Sequence, residues 1–564
     1  MTTWDKSVDL VIAGSGGGGL VAAIAAIDEG LEPLVLEKQP MVGGSTGMSG
    51  GIIWLPNNPL MRAEGIADSH EDGLAYLEAV VGDVGPASSP ERREMFLRAG
   101  TEMISFLQRR GVRLVRCPGY ADYYADRVGG SAAGRSVEGV PFDADEIGPW
   151  KDRIYPSLSK AFGYVMKTNE LRSVQYYNRS PGTFAIATQV FARTQLARLR
   201  KQQLLTNGAS LVGQLLKVLM VLNGEPPVWT GSPVEDLVVE DGRVVGVRAV
   251  HDGEPVLIEG RKGVLLAAGG FGHNPDMRRQ HSGNQPNEAE WSIANPGDTG
   301  EVLQTAMRLG AKTDLLDEAW WQTSTSRALG AAGASLGQAR QRPGAIYVDS
   351  SGNRFCNESN SYVEVGKAMY AAKAVPCWLV FDEGYVRRYA TTSNIFQRGL
   401  PQEAIDSGAL RKADTIGALA GEIGVDADAL ERTVERFNVN ARKGIDPDFG
   451  RGQTPYNDAL GDPGFTPNRA LGALDRAPYY ATEIYPGDVG TCGGVVTDQY
   501  ARVLDEQGQP ILGLYATGNI TATVMGRTYP GAGASIANTM IFGYVAARHA
   551  GGTRLPDAPG VGVG

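Results

Sequence analysis

Gly14, Gly16 and Gly19 stand at G-x-G-x-x-G spacing in Gly14-Ser15-Gly16-Gly17-Gly18-Gly19, and Glu37 follows 23 residues after the first of them. Those residue types in that order can hold a dinucleotide. Gly14 permits a tight turn, Gly16 lets the backbone approach a pyrophosphate, and Gly19 lets helix and strand pack closely. An acid at the end of the next strand can accept from ribose hydroxyls. The spacing becomes chemistry only if secondary structure positions it. Residues 8–12, apolar except for Asp9, read as a short buried strand, residues 20–27 as an Ala-rich helix ending near Gly30, and residues 33–36 as a second strand ending on Glu37. This is one βαβ unit, whose helix offers free N–H groups and a positive dipole end to phosphates. Ser15, Gly18 and Lys38 belong to the same expected cofactor turn.

A second glycine-rich loop follows, Gly43-Gly44-Ser45-Thr46-Gly47-Met48-Ser49-Gly50-Gly51. Nicotinamide-binding domains rarely carry one there. Flavoproteins with an extended FAD do, because the isoalloxazine and ribityl chain need close backbone contact. On these residues the chain resembles the fumarate reductase/succinate dehydrogenase flavoprotein superfamily. Leu265-Leu266-Ala267-Ala268-Gly269-Gly270-Phe271, Gly297-Asp298-Thr299-Gly300 and Tyr515-Ala516-Thr517-Gly518-Asn519 extend the resemblance over nearly the whole chain. It implies FAD as cofactor, held by the first turn, by Gly44, Ser45, Thr46, Ser49, Gly50 and Gly51, and by Val234, Ala268, Gly269, Asp298, Gly518, Asn519, Ser535 and Ile536. The implied fold class is α/β: a Rossmann-like FAD-binding domain (1–315 and 487–564, with a basic helical insertion at 151–205) interrupted by an α+β catalytic domain (316–486). The loop 43–51 contains no histidine, so the FAD is expected to be non-covalent.

The second chemically informative stretch is Met525-Gly526-Arg527-Thr528-Tyr529-Pro530-Gly531-Ala532-Gly533-Ala534-Ser535-Ile536. A glycine-rich turn enters the last helix (535–549), so that the helix N-terminus faces back toward the flavin and can stabilise negative charge on it. Tyr-Pro-Gly-x-Gly after Gly518-Asn519 resembles the 3-ketosteroid Δ1-dehydrogenases. Gly134-Arg135-Ser136 with Pro141-Phe142-Asp143, and Arg354-Phe355-Cys356-Asn357-Glu358-Ser359-Asn360-Ser361-Tyr362, agree with it. Such enzymes remove hydrogens from C1 and C2 beside a C3 ketone. They need an electrophile at the ketone oxygen, a base at C2 and a hydride acceptor over C1, which the flavin supplies. The resemblance implies Tyr529 O–H and Gly533 N–H as the ketone donors and Tyr362 as the base. Its implied partner is a tyrosine of Tyr120-Ala121-Asp122-Tyr123-Tyr124, assigned to Tyr123 with Tyr120 and Tyr124 as alternatives. A free tyrosine has a pKa of about 10, so the base needs a neighbouring donor and a favourable field.

Composition bounds the alternatives. The net charge of −10 argues against nucleic acid as a partner. Four cysteines without C-x-x-C disfavour a disulfide framework, zinc or iron–sulfur. None of the five histidines lies between 282 and 548, so the histidine-based carboxylate recognition of fumarate and succinate enzymes has no donor there. No signal-like N-terminus and no run of 18 apolar residues is present, and a cytoplasmic location is expected. Residues 151–201 carry ten Lys or Arg against Asp152 and Glu170, interleaved with Phe162, Tyr164, Tyr176, Tyr177, Phe184 and Phe191. That pattern reads as a solvated helical insertion or as a patch resting on an anionic membrane face. A quinone is the expected electron acceptor. Residues 60–113 read as helices, 204–222 as an apolar helix followed by a strand, and 234–250 as a hairpin around Asp241-Gly242. The Gly/Pro-rich end, 551–564, reads as a loose tail. Competing readings are a flavin dehydrogenase acting at Δ4 of 5α-steroids and an electron-transfer flavoprotein without a substrate site of its own.

Overall fold

A computed structural model of the chain describes residues 3–157, 160, 162–337, 339–391 and 398–553. Its centre is the strand Lys6–Ala13, whose residues Leu10, Val11 and Ile12 are wholly buried. Its second half, Leu10 to Ala13, is covered on both faces and is apolar without alternation, while Lys6, Ser7 and Asp9 stand at the more open end. It pairs in parallel with Pro33–Glu37 on one side and with Glu254–Leu266 on the other. Beyond them, also parallel, lie Val228–Thr230 and Pro510–Ala516. The chain thus leaves the first strand in opposite directions across the sheet, and Gly14 sits at that reversal, where open α/β sheets bind ligands.

The first helix, Gly17–Asp28, and the last, Ala534–Gly551, pack on each other across the sheet. Their approach depends on glycine: a Cβ on Gly543 would lie 2.3 Å from the Gly18 carbonyl oxygen. The hairpin forms as expected, with Val234–Glu240 antiparallel to Arg243–His251, and the latter joins the long strand Glu254–Leu266.

Two local expectations are corrected. Residues 204–222 do not end in a strand: Asn207–Asn223 is one helix, stopped by Gly224 at φ 80°. Its apolar residues Leu211, Leu215, Val218 and Leu219 share one buried face, and this helical spacing outweighs the β-branched content of the last turn. The second glycine loop also contains a short helix, Gly44–Met48, entered through Gly43 at φ 100°.

A separate antiparallel sheet contains Ala319–Thr325, Tyr479–Thr491, Cys377–Asp382 and Ala345–Val348, with Arg411–Ala413 at its edge. The strand Tyr479–Thr491 runs unbroken through residue 486, where the sequence suggested a domain boundary. Helices Thr168–Val174 and Pro181–Leu199 build the basic stretch. Among the described residues no helix is long and apolar enough to cross a membrane. The segment 554–564, expected to be a loose tail, lies outside the described residues.

Candidate active site

One continuous cavity of about 1040 Å³ runs from the Gly14 turn to the second sheet. Apart from Tyr124, the alternative to Tyr123, every residue expected at the cofactor or the substrate lines it except Gly18 and Gly19. Those two lie behind the turn. A Cβ on Gly19 would stand 2.0 Å from the Gly14 carbonyl oxygen, and one on Gly18 would strike Thr539 and Thr517. Both serve helix packing rather than ligand contact.

The cofactor half has the shape a dinucleotide requires. Gly14 adopts φ 111°, and a Cβ there would lie 2.3 Å from the Ala267 carbonyl oxygen. Gly16 caps the first helix without a side-chain hydrogen bond, and a Cβ on it would meet nothing within 4 Å. The helix N-terminus therefore opens directly into the cavity, where a pyrophosphate fits against its free N–H groups. Glu37 is held in place by Ser15, whose hydroxyl donates to Oε2 at 2.6 Å and whose N–H donates at 3.0 Å. The Gly17 N–H donates to Thr46 Oγ1 at 3.1 Å, joining the first glycine turn to the second loop. Ser45 donates to Asp298 at 3.3 Å and accepts from the Asn295 N–H at 2.9 Å. Burial pushes the Asp298 carboxyl up to about 7. Lys38 is drawn to the rim by Glu301 at 3.0 Å. These residues would hold the FAD phosphates, ribose and ring edge.

In the other half the structure brings three of the expected tyrosines together. The rings of Tyr123 and Tyr362 lie 5.5 Å apart, Tyr123 and Tyr529 5.5 Å, and Tyr362 and Tyr529 5.3 Å. They come from a loop, the N-terminus of helix Tyr362–Ala371 and the turn before the last helix. That turn is built for close approach. Gly533 caps the last helix at φ 95°, and a Cβ there would lie 2.2 Å from the Ile52 carbonyl oxygen. The Tyr529 hydroxyl lies 3.0 Å from Ser535 Oγ. The loop is stitched to the turn at Pro530, whose carbonyl accepts from the Tyr123 N–H at 3.0 Å and from the Tyr76 hydroxyl at 2.6 Å. Tyr124 donates its hydroxyl to Glu364 at 2.8 Å, and Tyr120 carries the Arg172 guanidinium 4.3 Å above its ring.

Burial pushes the Tyr362 phenol well above its ordinary value; the neighbouring Tyr529 adds to this, and an interaction with the Tyr123 hydroxyl works against it. Tyr123 is raised for the same reason, burial first and the surrounding phenols second. Both phenols are therefore neutral in the resting protein.

Sequence reasoning missed several supports of this site. Tyr456 packs 4.5 Å from Tyr123. Trp320 stands edge-on to Tyr529 at 5.1 Å and donates its indole N–H to Asn519 at 3.0 Å, so one side chain braces both residues from behind. Arg135 joins Asp68 and Asp122, with Arg135 and Asp122 buried and Asp68 partly so, and Asp122 accepts from the Trp54 indole at 2.7 Å. Among these only the Gly134-Arg135-Ser136 motif was visible in the sequence; the aromatic residues are two of eight tryptophans and one of 21 tyrosines, without a local signal.

The FAD binding domain family model matches residues 9–536. Over 560 residues the chain is 40% identical to the 3-oxosteroid 1-dehydrogenase of Mycobacterium tuberculosis, covering 96% of this chain and 98% of that protein. It is 38% identical over 558 residues to the enzyme of the same name from Mycolicibacterium smegmatis, covering 96% and 97%. The crystal structure of 3-ketosteroid Δ1-dehydrogenase from Sterolibacterium denitrificans, in complex with 1,4-androstadiene-3,17-dione, superposes with a TM-score of 0.91 at 33% identity, covering 97% of this chain and all of that one. A glycine cradle open to a pyrophosphate and a tyrosine cluster facing it thus occur in a chain that, by sequence and by fold, belongs to the FAD-dependent 3-oxosteroid 1-dehydrogenase family.

Proposed function

We propose that the chain oxidises 3-ketosteroids between C1 and C2, with the ketone lodged between Tyr529 and Gly533. The observation that carries this reading is the convergence of Tyr123, Tyr362 and Tyr529 within 5.5 Å ring separations on one face of the Gly533 cap. The bound FAD, held non-covalently, supplies the hydride acceptor for C1. The chain's own residues do the rest. The Tyr529 O–H and the Gly533 N–H donate to the ketone oxygen, and two fixed donors are worth most where negative charge develops on it. Polarising the ketone acidifies the C2 proton, which Tyr362 takes. The Tyr123 hydroxyl donates to the Tyr362 oxygen and offsets part of the burial cost of the phenolate. Tyr456 on the cavity wall, and Trp320 packed behind Tyr529, exclude water from the reacting carbons.

The electrons are passed on to a quinone, at the inner face of a membrane that the cytoplasmic protein touches through 151–205. Helix Pro181–Leu199 supports this: Phe184, Phe191 and Leu199 are 61%, 51% and 81% exposed, beside Arg198, Arg200 and Lys201. Apolar side chains inserting among headgroups, with cations over anionic lipid, would hold it there.

Anaerobic mixing with a 3-keto-4-ene steroid tests the reaction. The flavin absorbance should bleach in one phase, and the product should be the 1,4-diene. A product desaturated elsewhere would assign the enzyme to another ring position; no bleaching would end the steroid reading.

A further inference from the structure

Carboxylates and arginines occupy different parts of the cavity wall, and Lys38 stands with the carboxylates at Glu301. The carboxylates that line it, Glu37, Glu235, Asp298 and Glu301, all stand in the cofactor half. In the half beyond the tyrosines, the charged lining residues among those described are arginines: Arg172, Arg327 and Arg342. Arg342 is only 6% exposed. Its Nη2 donates to Gln175 Oε1 at 2.5 Å and its Nη1 to the Tyr385 hydroxyl at 3.1 Å and the Ala390 carbonyl at 3.3 Å. All of these acceptors are neutral. Among the described residues neither Arg342 nor Arg172 has a carboxylate within ion-pair distance. The nearby Asp462 is committed to Arg388 at 2.6 Å and to the Tyr389 hydroxyl at 2.9 Å.

This cationic end meets the tyrosine loop at Arg172, 4.3 Å above the Tyr120 ring, and continues from there along the helix Pro455–Leu460. Tyr456, against Tyr123, starts the helix Pro455–Leu460. One turn on, the Ala459 carbonyl accepts from Arg172 at 2.6 Å and the Leu460 carbonyl from Tyr176 at 3.3 Å. Gln175, next to Tyr176 in the chain, carries the contact on to Arg342. An arginine is charged at any physiological pH. Burying one without a counter-ion is costly, and a ligand that brings a carboxylate repays the cost.

On the reading that the ketone sits at Tyr529 and Gly533, we infer that this end of the cavity receives a carboxylate carried on the D-ring side chain of the steroid, bound by Arg342 beside Gln175. The preferred substrates are then 3-ketosteroid acids rather than neutral 17-ketones.

The test compares a 3-oxo-4-ene steroid 20-carboxylic acid with its methyl ester, with 4-androstene-3,17-dione as a control for turnover itself. The holoenzyme should favour the acid over the ester by about tenfold or more in kcat/KM, the worth of one charge-assisted hydrogen bond. Arg342→Gln should abolish the preference. Because Arg342 also supports Ala390 and Tyr385, the informative variant is Gln175→Glu, on a half-buried helix end. It supplies an internal carboxylate to Arg342 and should erase the preference for the acid, lowering kcat/KM for the acid far more than for the ester or the dione. Equal turnover of acid and ester by the unaltered enzyme overturns the inference, as does a Gln175→Glu variant that loses all three substrates alike. If even the dione is not turned over, the steroid reading fails, and this inference falls with it.

Discussion

Tyr529 and Tyr362 sit 5.3 Å apart, ring to ring, yet their substitution should have different consequences. On the proposed assignment Tyr529→Phe takes away one of two ketone donors and should lower turnover by about 10²–10³ while FAD remains bound. On the same assignment Tyr362→Phe takes away the base and should cost about 10²–10⁴. It should also abolish exchange of the C2 proton with deuterated solvent, with steroid binding retained. Exchange that survives in Tyr362→Phe moves the base to another tyrosine. Burial raises the Tyr362 pKa, so the reactive phenolate is scarce at neutrality. The rate of flavin reduction should therefore still be rising with pH at roughly pH 9, near the ordinary phenol range. A flat profile across that range would show that phenolate formation does not govern the step.

At the scale of elements, the positions of the tyrosines depend on short-range anchors between segments far apart in the chain. Strand Ser136–Gly139 supplies one such anchor. Glu138, completely buried, accepts from the Thr168 N–H at 2.7 Å and the Asn169 N–H at 3.3 Å, and so caps the helix Thr168–Val174. Thr168 in turn donates its hydroxyl to the Gly50 carbonyl at 2.6 Å. Burial pushes Glu138 up to about 7, against the opposing pull of those N–H groups and of Lys167. A carboxyl whose folded pKa is raised contributes stability below its unfolded value, and that contribution is lost as pH rises through about 7. Ionisation should therefore cost on the order of 3 kcal/mol between pH 5 and pH 8. Glu138→Gln keeps the acceptor for the helix and should flatten the decline in Tm over that interval; an unchanged slope would assign it to other groups, such as Asp298.

The last helix shows the same dependence on backbone. Gly533→Ala places a Cβ 2.2 Å from the Ile52 carbonyl oxygen at φ 95°, a strain of about 1–3 kcal/mol before any shift of the donor. Loss of turnover with FAD still bound is the expected result. Near-normal turnover would remove Gly533 from the ketone site.

Over the whole molecule the two halves of the cavity make separate predictions. Acid precipitation should release the yellow cofactor into the supernatant; a yellow pellet would show a covalent link. The exposed helix Pro181–Leu199 should bind anionic vesicles in a salt-dependent manner, since surface charges are screened over about 10 Å at 0.1 M salt. Reversing Arg198, Arg200, Lys201 and Lys160 should abolish flotation with such vesicles, and flotation that persists would remove the membrane contact.

The sequence by itself determined the cofactor half. Gly14, Gly16 and Glu37 sit within one βαβ unit, so their geometry follows from local rules of turn, helix and strand. The Tyr529 turn was legible for the same reason, because Gly531 and Gly533 mark a backbone that must pass close to another chain segment. The helix Asn207–Asn223 was legible only as apolar, since its β-branched end carries the same residues a strand would. The choice among Tyr120, Tyr123 and Tyr124 could not be read locally. Three tyrosines in five positions have equal chemistry, and what separates their surroundings is the Pro530 carbonyl, Glu364 and Arg172, each remote in sequence. Tyr456 and Trp320 were invisible for a related reason: a single aromatic residue carries no pattern until a long-range contact gives it a neighbour. The arginines of the cavity are likewise a property of the tertiary structure. Arg172, Arg327 and Arg342 are separated in the chain, and only folding brings them to the lining of one cavity.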